Sequence, residues 1–233
     1  GKWIMSERKS RMIKFRLSHC RYLYVKCIAR AVLMSGLLVT VPAKALGPVD
    51  GEVGVFTWVV DDYQDTSVNS PLTGGYGELW LGERWGLRTA LYRVSEDSVS
   101  MAPDEQTLVD FKYRVVNVTD NTFLAVGLGW EQNRFGAEGD ASGARIMAEG
   151  RVGVLGFLRF YAEAGWAPSL GDLGLRRDLS SISVETGLVL DPFPFVDLRL
   201  GWRYQITDYT GAITGSAASE GSYGVLVGGG IHW

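Results

Sequence analysis

The sequence predicts an all-β protein, a transmembrane antiparallel up-and-down β-barrel of ten strands. Apolar and polar residues alternate with a period of two over most of the chain after Gly47. The alternating segments are separated by joins that are long and short in regular succession, as in transmembrane barrels with tight periplasmic turns and long extracellular loops. A short apolar segment near the N-terminus, preceded by many basic residues, predicts export.

Residues 1–45 are predicted to be a cleavable signal peptide. They carry 10 of the 23 basic residues and 1 of the 26 acidic residues, followed by the apolar segment Ala31–Val41 and a small-x-small cleavage site at 43–45. An apolar segment of about 11 residues is too short to span a bilayer as a helix. Because the charged region is long and the chain opens with Gly1, Met12 is an alternative start.

Residues 46–233 are the predicted barrel domain. They keep 23 − 10 = 13 basic and 26 − 1 = 25 acidic residues, a net charge of −12. Cys20 and Cys27 both lie in the predicted signal peptide, so no disulfide is expected to hold the domain. The domain lacks the basic face of a nucleic-acid-binding protein, so no nucleic-acid partner is expected.

The first three predicted strands are 51–61, 75–83 and 86–95. The join between the first two, 62–74, is long, and Arg84-Trp85 is short. These strands alternate less regularly than the later ones, so a barrel of eight strands is the alternative.

The next four predicted strands, 107–118, 122–133, 143–155 and 157–166, alternate most clearly. In the second of them, Leu124, Val126, Leu128 and Trp130 alternate with small or polar residues. The long joins around these strands are 96–106, 134–142 and 167–178, and the short ones are 119–121 and Gly156.

The last three predicted strands are 179–190, 195–208 and 220–233, joined by the short segment 191–194 and the long segment 209–219. The final strand places Val225, Val227, Ile231 and Trp233 on one face, and it is expected to close the barrel against the first strand. An aromatic residue at 233 after alternating apolar positions resembles the signal that the bacterial barrel assembly machinery recognises, so that machinery is an expected partner.

Aromatic residues cluster at the two predicted ends of the strands, where rings favour the lipid headgroup layers. Those at the periplasmic ends are Trp85, Phe123, Phe157, Phe193, Phe195 and Trp233, and those near the outer ends are Tyr92, Trp130, Trp166 and Tyr223.

Charged residues on the polar face of the strands are expected to form a network in the barrel interior. The acids are Glu78, Asp110, Glu131, Glu149, Glu163, Glu185 and Asp197, and the bases are Arg88, Lys112, Arg114, Arg151, Arg159, Arg199 and Arg203. In a narrow barrel such side chains can meet, so the favoured interpretation is a closed, charge-paired lumen. The alternative is a small gated pore or porin whose path these charges line, since rings of charge set ion selectivity.

No catalytic residue and no cofactor is expected. After the predicted signal peptide the one histidine is His232, which is expected to face inward at the periplasmic end without a nearby acid. Metal-ligand clusters, P-loops and nucleotide-binding motifs are absent from the sequence.

The predicted long loops are acidic, and this charge is expected to be mostly a solvated surface. The alternative is that the carboxylates share divalent cations with lipopolysaccharide phosphates. Outer-membrane lipid and lipopolysaccharide are therefore the expected surroundings and partners. The acids are Asp61, Asp62, Asp65, Glu96, Asp97, Asp104, Glu105, Glu138, Asp140, Asp172 and Asp178.

The C-terminal third resembles the YfaZ-like family of small proteobacterial outer-membrane proteins. The resemblance covers roughly residues 157–233 and implies an outer-membrane barrel without an assigned reaction. The segments that carry it are Leu158–Glu163, Ala167-Pro168, Glu185–Gly187, Pro192–Pro194, Arg199–Tyr204 and Gly221–Val225.

The expected protein is thus a non-enzymatic barrel of a Gram-negative outer membrane, exported through the periplasm. A structural or surface-interaction role is the first expectation. A small channel for ions or solutes is the second, and a lipid enzyme acting at the rim is the third.

Overall fold

The alternating segments form ten strands that pair with their neighbours along most of their length. The computed structural model describes residues 49–62, 71–94 and 103–233, so the predicted signal peptide, 1–45, lies outside the described residues. The strands are β1 (Val49–Asp62), β2 (Pro71–Leu81), β3 (Trp85–Val94), β4 (Glu105–Thr119), β5 (Thr122–Phe135), β6 (Gly139–Leu155), β7 (Leu158–Leu173), β8 (Arg176–Phe193), β9 (Val196–Gly211) and β10 (Ala217–His232).

The sheet closes on itself because β1 pairs antiparallel with both β2 and β10. If each residue is followed to its partner on the next strand, starting at Val49, the path goes once around the barrel and returns to β1 at Asp61. Asp61 is 61 − 49 = 12 residues farther along β1, and this shift is the shear of the barrel. Ten strands with this shift tilt by about 40°, and the interior can be filled by side chains. The predicted ten-stranded up-and-down barrel is therefore confirmed, and the eight-stranded alternative is wrong. The circuit passes through Leu81, Trp85, Tyr113, Val126, Ala148, Ala164, Val184, Tyr204 and Tyr223.

We call the end of the barrel where β1 begins and β10 ends the proximal end, and the opposite end the distal end. The predicted long joins at 134–142, 167–178 and 209–219 are wrong, because the strands continue and leave distal turns at only 136–138, 174–175 and 212–216. In these distal extensions the inward face carries buried apolar residues such as Ala141, Leu170 and Leu179, whereas outward residues such as Asp140 and Asp172 are polar. The apolar-outward, polar-inward alternation therefore ends there, although backbone pairing continues. The periodicity therefore underestimated the lengths of β6 to β9, which have 16 to 18 residues.

The outer surface carries large apolar side chains between two groups of aromatic rings. Trp85, Phe157, Phe193 and Phe195 are exposed at the proximal end, and Trp130, Trp166 and Trp202 are exposed in the distal half. Leu128 and Leu198 are among the exposed side chains between them.

Two of the aromatic residues assigned to the predicted girdles face the interior instead. Phe123 is buried and packs edge-on against Trp80, and Tyr92 is buried among polar groups. The reason is strand parity: Phe123 shares its face with Ala125 and Glu131, not with the outward Leu124. The prediction that these two rings lie in the headgroup layers is wrong.

The helical structure in the described ranges is a 3-10 turn at Gly136–Glu138. No helix there is long and apolar enough to cross a membrane.

The seam between β1 and β10 gives the first testable prediction. A Cβ atom at Gly228 would lie 2.6 Å from the carbonyl oxygen of Val55 and 2.8 Å from Cβ of Phe56. We therefore expect Gly228→Ala to lower the free energy of unfolding by about 1–3 kcal/mol. The measurement is the temperature at which the detergent-solubilised barrel loses its compact electrophoretic mobility. Gly156→Ala is the matched control, because a Cβ atom at Gly156 would meet nothing within 4 Å. Equal transition temperatures for the two variants would contradict the prediction.

Candidate functional site: the charged barrel interior

Strand parity places the predicted network of charged side chains inside the barrel. All fourteen residues of the predicted interior network are buried, with exposed fractions between 0% and 8%. They come from eight of the ten strands: Glu78 from β2, Arg88 from β3, Asp110, Lys112 and Arg114 from β4, Glu131 from β5, Glu149 and Arg151 from β6, Arg159 and Glu163 from β7, Glu185 from β8, and Asp197, Arg199 and Arg203 from β9.

Two further charged residues of the interior were missed by the sequence reasoning. Arg145 shares its parity on β6 with Glu149 and Arg151, so the alternation alone could have identified it. Glu52 lies on β1, where inward aromatic residues such as Phe56 and Trp58 hide the polar pattern. With these two, the buried charges of the described residues are eight acids and eight bases.

The proximal half of the interior is held together by Lys112 and Arg151. Lys112 Nζ donates to Glu78 Oε2 at 2.8 Å and to Glu149 Oε2 at 2.5 Å. Arg151 donates to the same two carboxylates, at 2.8 Å and 2.5 Å, and its Nη1 lies 3.4 Å from Glu52 Oε2. Side chains of β4 and β6 therefore reach β1 and β2 through the interior.

Arg145 is the centre of the distal half. Its Nε lies 3.1 Å from Asp110 Oδ1, its Nη1 3.4 Å from Glu131 Oε2 and its Nη2 3.2 Å from Glu163 Oε1. Arg88 also donates to Glu163. Gly165 makes room for this guanidinium, because a Cβ atom there would overlap it. One arginine thus compensates three buried carboxylates, with help from Arg88 at one of them.

Neutral polar groups complete the distal half. Gln106 Nε2 and Asn133 Nδ2 donate to Glu131 Oε1 at 2.9 Å and 2.8 Å. Arg203 Nη2 donates to Gln106 Oε1 at 2.7 Å, and its Nη1 donates to Tyr92 Oη at 3.0 Å. These neutral residues were also missed, although they share strand parity with predicted members of the network.

Aromatic rings stack on the arginines. The guanidinium carbon of Arg199 lies 4.3 Å from the Tyr76 ring centroid and 4.6 Å from that of Tyr161. Arg114 lies between Trp80 and Phe123, at 3.9 Å and 4.2 Å from their centroids. A stacked cation keeps an electrostatic partner on its faces while its edges remain free to donate hydrogen bonds.

His232 does face inward at the proximal end, but the expectation that no acid lies near it is wrong. Its Nδ1 lies 3.8 Å from Asp197 Oδ2, and Asp197 also accepts a hydrogen bond from Tyr76 at 3.2 Å. The acid comes from β9, which β10 pairs with, so it is far away in the sequence but adjacent in the sheet.

The interior is tightly filled at the level of the charges. The exposed fraction is 0% for Lys112, 7% for Arg159 and 5% for Arg199, so the Lys112 side chain has no surface in contact with water. Farther toward the distal end the interior is filled by apolar side chains in two clusters. One includes Trp58, Leu108 and Leu226, and the other includes Leu170 and Leu179.

Of the loop acids predicted to share divalent cations, Asp65, Glu96 and Asp97 lie outside the described residues, and nothing is described of the side chains of Asp61 and Asp62. Several of the others have partners. Asp140 accepts from Arg134 Nε at 3.0 Å, and Glu138 lies 3.7 Å from Arg176. Asp172 accepts from the backbone nitrogen of Asp178 at 2.9 Å. Within the described ranges, no three His, Cys, Asp or Glu side chains are grouped so that they could hold a metal ion. Cation sharing with lipopolysaccharide stays a prediction.

Buried ion pairs of this kind add little net stability, because the desolvation of the charges offsets their attraction. Removing one partner has a much larger effect, since it leaves a buried charge without compensation. The interior network therefore adds little stability as a whole, but replacing any one of its charged residues alone is expected to be strongly destabilising.

Arg145 gives the second prediction. Arg145→Gln leaves Asp110, Glu131 and Glu163 with too few cations, so we expect the free energy of unfolding to fall by about 3–5 kcal/mol. Urea denaturation of the barrel in lipid vesicles measures it. Arg134→Gln is the control, because Arg134 makes ion pairs on the exposed outer face, and water screens such pairs so that they contribute little. The prediction fails if both variants unfold at the same urea concentration.

Several solved structures are similar to this chain, and three of them are outer-membrane or surface proteins. The outer membrane protease OmpT from Escherichia coli is 10% identical, covers 80% of this chain and 93% of its own, and gives a TM-score of 0.49. Neisserial surface protein A (NspA) is 11% identical, and its alignment covers 80% of this chain and 98% of the NspA chain with a TM-score of 0.31. Ail, the attachment invasion locus protein of Yersinia pestis, is 11% identical, and its alignment covers 79% of this chain and 97% of the Ail chain with a TM-score of 0.30. No protein-family model and no curated protein matches the chain, so the YfaZ-like resemblance stays a prediction.

Proposed function

We propose that this protein is an integral barrel of a bacterial outer membrane with a closed interior, no enzymatic activity and a structural or surface-interaction role. The observation that carries the proposal is the inverted distribution of side chains. Charged residues fill the interior, and large apolar residues cover the outside. Water-soluble proteins rarely expose an apolar surface of this extent, whereas a membrane barrel requires it.

The outer surface supports the membrane location. Apolar side chains such as Leu128, Leu198 and Leu200 lie between the two groups of exposed aromatic rings. Such rings favour the two headgroup layers, and the closed sheet leaves no strand edge facing lipid. Lipid and lipopolysaccharide are accordingly the proposed surroundings, and the YfaZ-like family fits this assignment.

The filled interior supports a closed barrel over a channel. Charges select ions only where they line a path that water can enter. Here Lys112, Arg145 and Arg203 are almost without exposed surface, and each is neutralised by acids from other strands.

The distal end supports a surface-interaction role. About 9–11 residues are enough for a strand to cross a membrane, whereas β6 to β9 have 16 to 18. At the distal turns, Ala212 N donates to the carbonyl of Leu175 at 2.8 Å, which joins two neighbouring turns. Leu175 and Ile213 on these turns are exposed, so an apolar pair is presented beyond the membrane.

The absence of enzymatic activity is proposed from the surroundings of His232. Asp197 beside it is buried and accepts a hydrogen bond from Tyr76, so this pair is part of the packed interior. The barrel assembly machinery, which would recognise the alternating apolar positions of β10 followed by Trp233, is the proposed partner for insertion.

The closed interior predicts the electrical behaviour. In planar bilayers we expect no resolvable single-channel steps at any voltage. A general porin, added to the same bilayer afterwards, is the positive control. Reproducible steps would instead favour a small gated channel, the second candidate function.

The membrane location is tested with one substitution at two heights. Leu128 is 69% exposed in the middle of the outer surface, and an arginine near the bilayer midplane costs about 2–4 kcal/mol. We therefore expect Leu128→Arg to reduce the amount of protein in the outer-membrane fraction. Ser142→Arg is the control, because Ser142 points outward on β6 nearer the distal end. If Leu128→Arg assembles as well as Ser142→Arg, the membrane assignment is wrong.

A further inference from the structure

A groove of about 240 Å³ opens on the outer surface of β1, β2 and β3. Its walls come from three adjacent strands and from the C-terminal tryptophan. It lies in the proximal half, because Leu79 pairs with Leu87 only two residues before the β2 end at Leu81. The outward side chains that line it are Val53, Leu79, Leu87, Thr89 and Trp233, with Gly77 at its floor.

The groove exists because Gly77 has no side chain. A Cβ atom at Gly77 would find only Thr89 Cγ2, at 3.7 Å, so the space above this residue is open. On the other side, Trp233 lies flat against β1, since a Cβ atom at Gly51 would overlap its ring. The groove is thus a narrow apolar recess with an aromatic wall.

A cation lies at the proximal end of the same outer surface. Arg84, in the turn between β2 and β3, donates from Nη1 to Tyr113 Oη at 2.8 Å, and its guanidinium carbon lies 5.8 Å from the Tyr113 ring centroid. This hydrogen bond raises the pKa of Arg84 above its ordinary value, so the guanidinium stays charged. The neighbouring Trp85 stacks on Phe111 with ring centroids 5.3 Å apart.

Arg84 is placed where a lipid phosphate would be. Trp85 belongs to the proximal group of exposed rings, which marks the headgroup layer at this end. The other arginines of the proximal half in the described ranges are buried in the interior: Arg88, Arg114, Arg151, Arg159 and Arg199. Arg84 is exposed and uses one nitrogen for Tyr113, so the rest of its planar donor set remains available.

We propose that the groove and Arg84 together bind one phospholipid of the leaflet at the proximal end, which its short turns predict to be periplasmic, with an acyl chain in the groove and the phosphate against the guanidinium. This inference rests on the proposed function, because only a barrel in a membrane presents the groove to acyl chains. The phosphate complements the exposed cation, and the acyl chain complements the apolar walls that begin two residues from the turn, at Leu79 on β2 and Leu87 on β3. Each half of the lipid therefore meets a matching part of one surface.

The test is native mass spectrometry of the purified barrel titrated with phosphatidylglycerol. We expect one lipid on the wild type. Gly77→Leu fills the groove and should abolish this bound species, while the strand still forms because the position is open. Arg84→Gln should weaken lipid binding about tenfold, the effect of losing one charge-assisted contact. Arg84→Lys should keep part of the binding, and inorganic phosphate alone should not bind.

Matched controls make the result specific. Ala148→Leu adds a leucine to the exposed outer face of β6, and Arg93→Gln removes an exposed cation at the distal end. Both should bind lipid as the wild type does. The inference is overturned if the groove and Arg84 variants bind like these controls, or if Gly77→Leu abolishes a dimer of the barrel instead of a lipid adduct.

A separate measurement distinguishes this inference from the proposed function. Every variant is also checked for outer-membrane fractionation and for compact electrophoretic mobility. If the wild type itself is missing from the membrane, the proposed function fails. If all variants are in the membrane but lipid binding does not follow the substitutions, only the phospholipid site is wrong.

Discussion

Closure of the sheet between β1 and β10 is the constraint on which the rest of the structure depends. A bilayer offers no hydrogen-bond partner to the backbone, so every strand must find two neighbours. Ten strands and a shift of 12 residues satisfy this and fix how wide the interior is. That width decides the next step: an arginine from one wall reaches the carboxylates of other strands, as Arg151 reaches Glu52.

The interior follows from closure because charges turned inward lose most of their water. Eight acids and eight bases are buried in the described part of the chain, and each lies near the opposite charge or a polar neighbour. Arg145 shows how tightly this is arranged, since its three nitrogens face three carboxylates from β4, β5 and β7. Such a network favours one arrangement of side chains over alternatives, which is a better reason for its presence than added stability.

Particular residues show how far the sequence could be interpreted. The alternation of Leu124, Val126 and Leu128 identified β5 and its outward face, and the same parity would have placed Phe123 inside. The distal ends of β6 to β9 were missed because their inward face is apolar, with Leu170 and Leu179 buried there, and their outward face is polar, which is the reverse of the pattern in the rest of the strands. Glu52 was hidden by inward aromatic neighbours, and Asp197 beside His232 is distant in the chain but adjacent across the β9–β10 pair.

The sequence by itself determined the fold class, favoured ten strands over eight and placed fourteen of the sixteen buried charges on the inward face, because a strand has a period of two and a membrane barrel separates its faces strictly. Only the tertiary structure decided which charges meet. Partners such as Lys112 and Glu149 are set by the register and the tilt, and a local pattern contains neither quantity. The groove at Gly77 and the position of Arg84 near its proximal end were decided in the same way, since they combine outward residues of neighbouring strands and a turn.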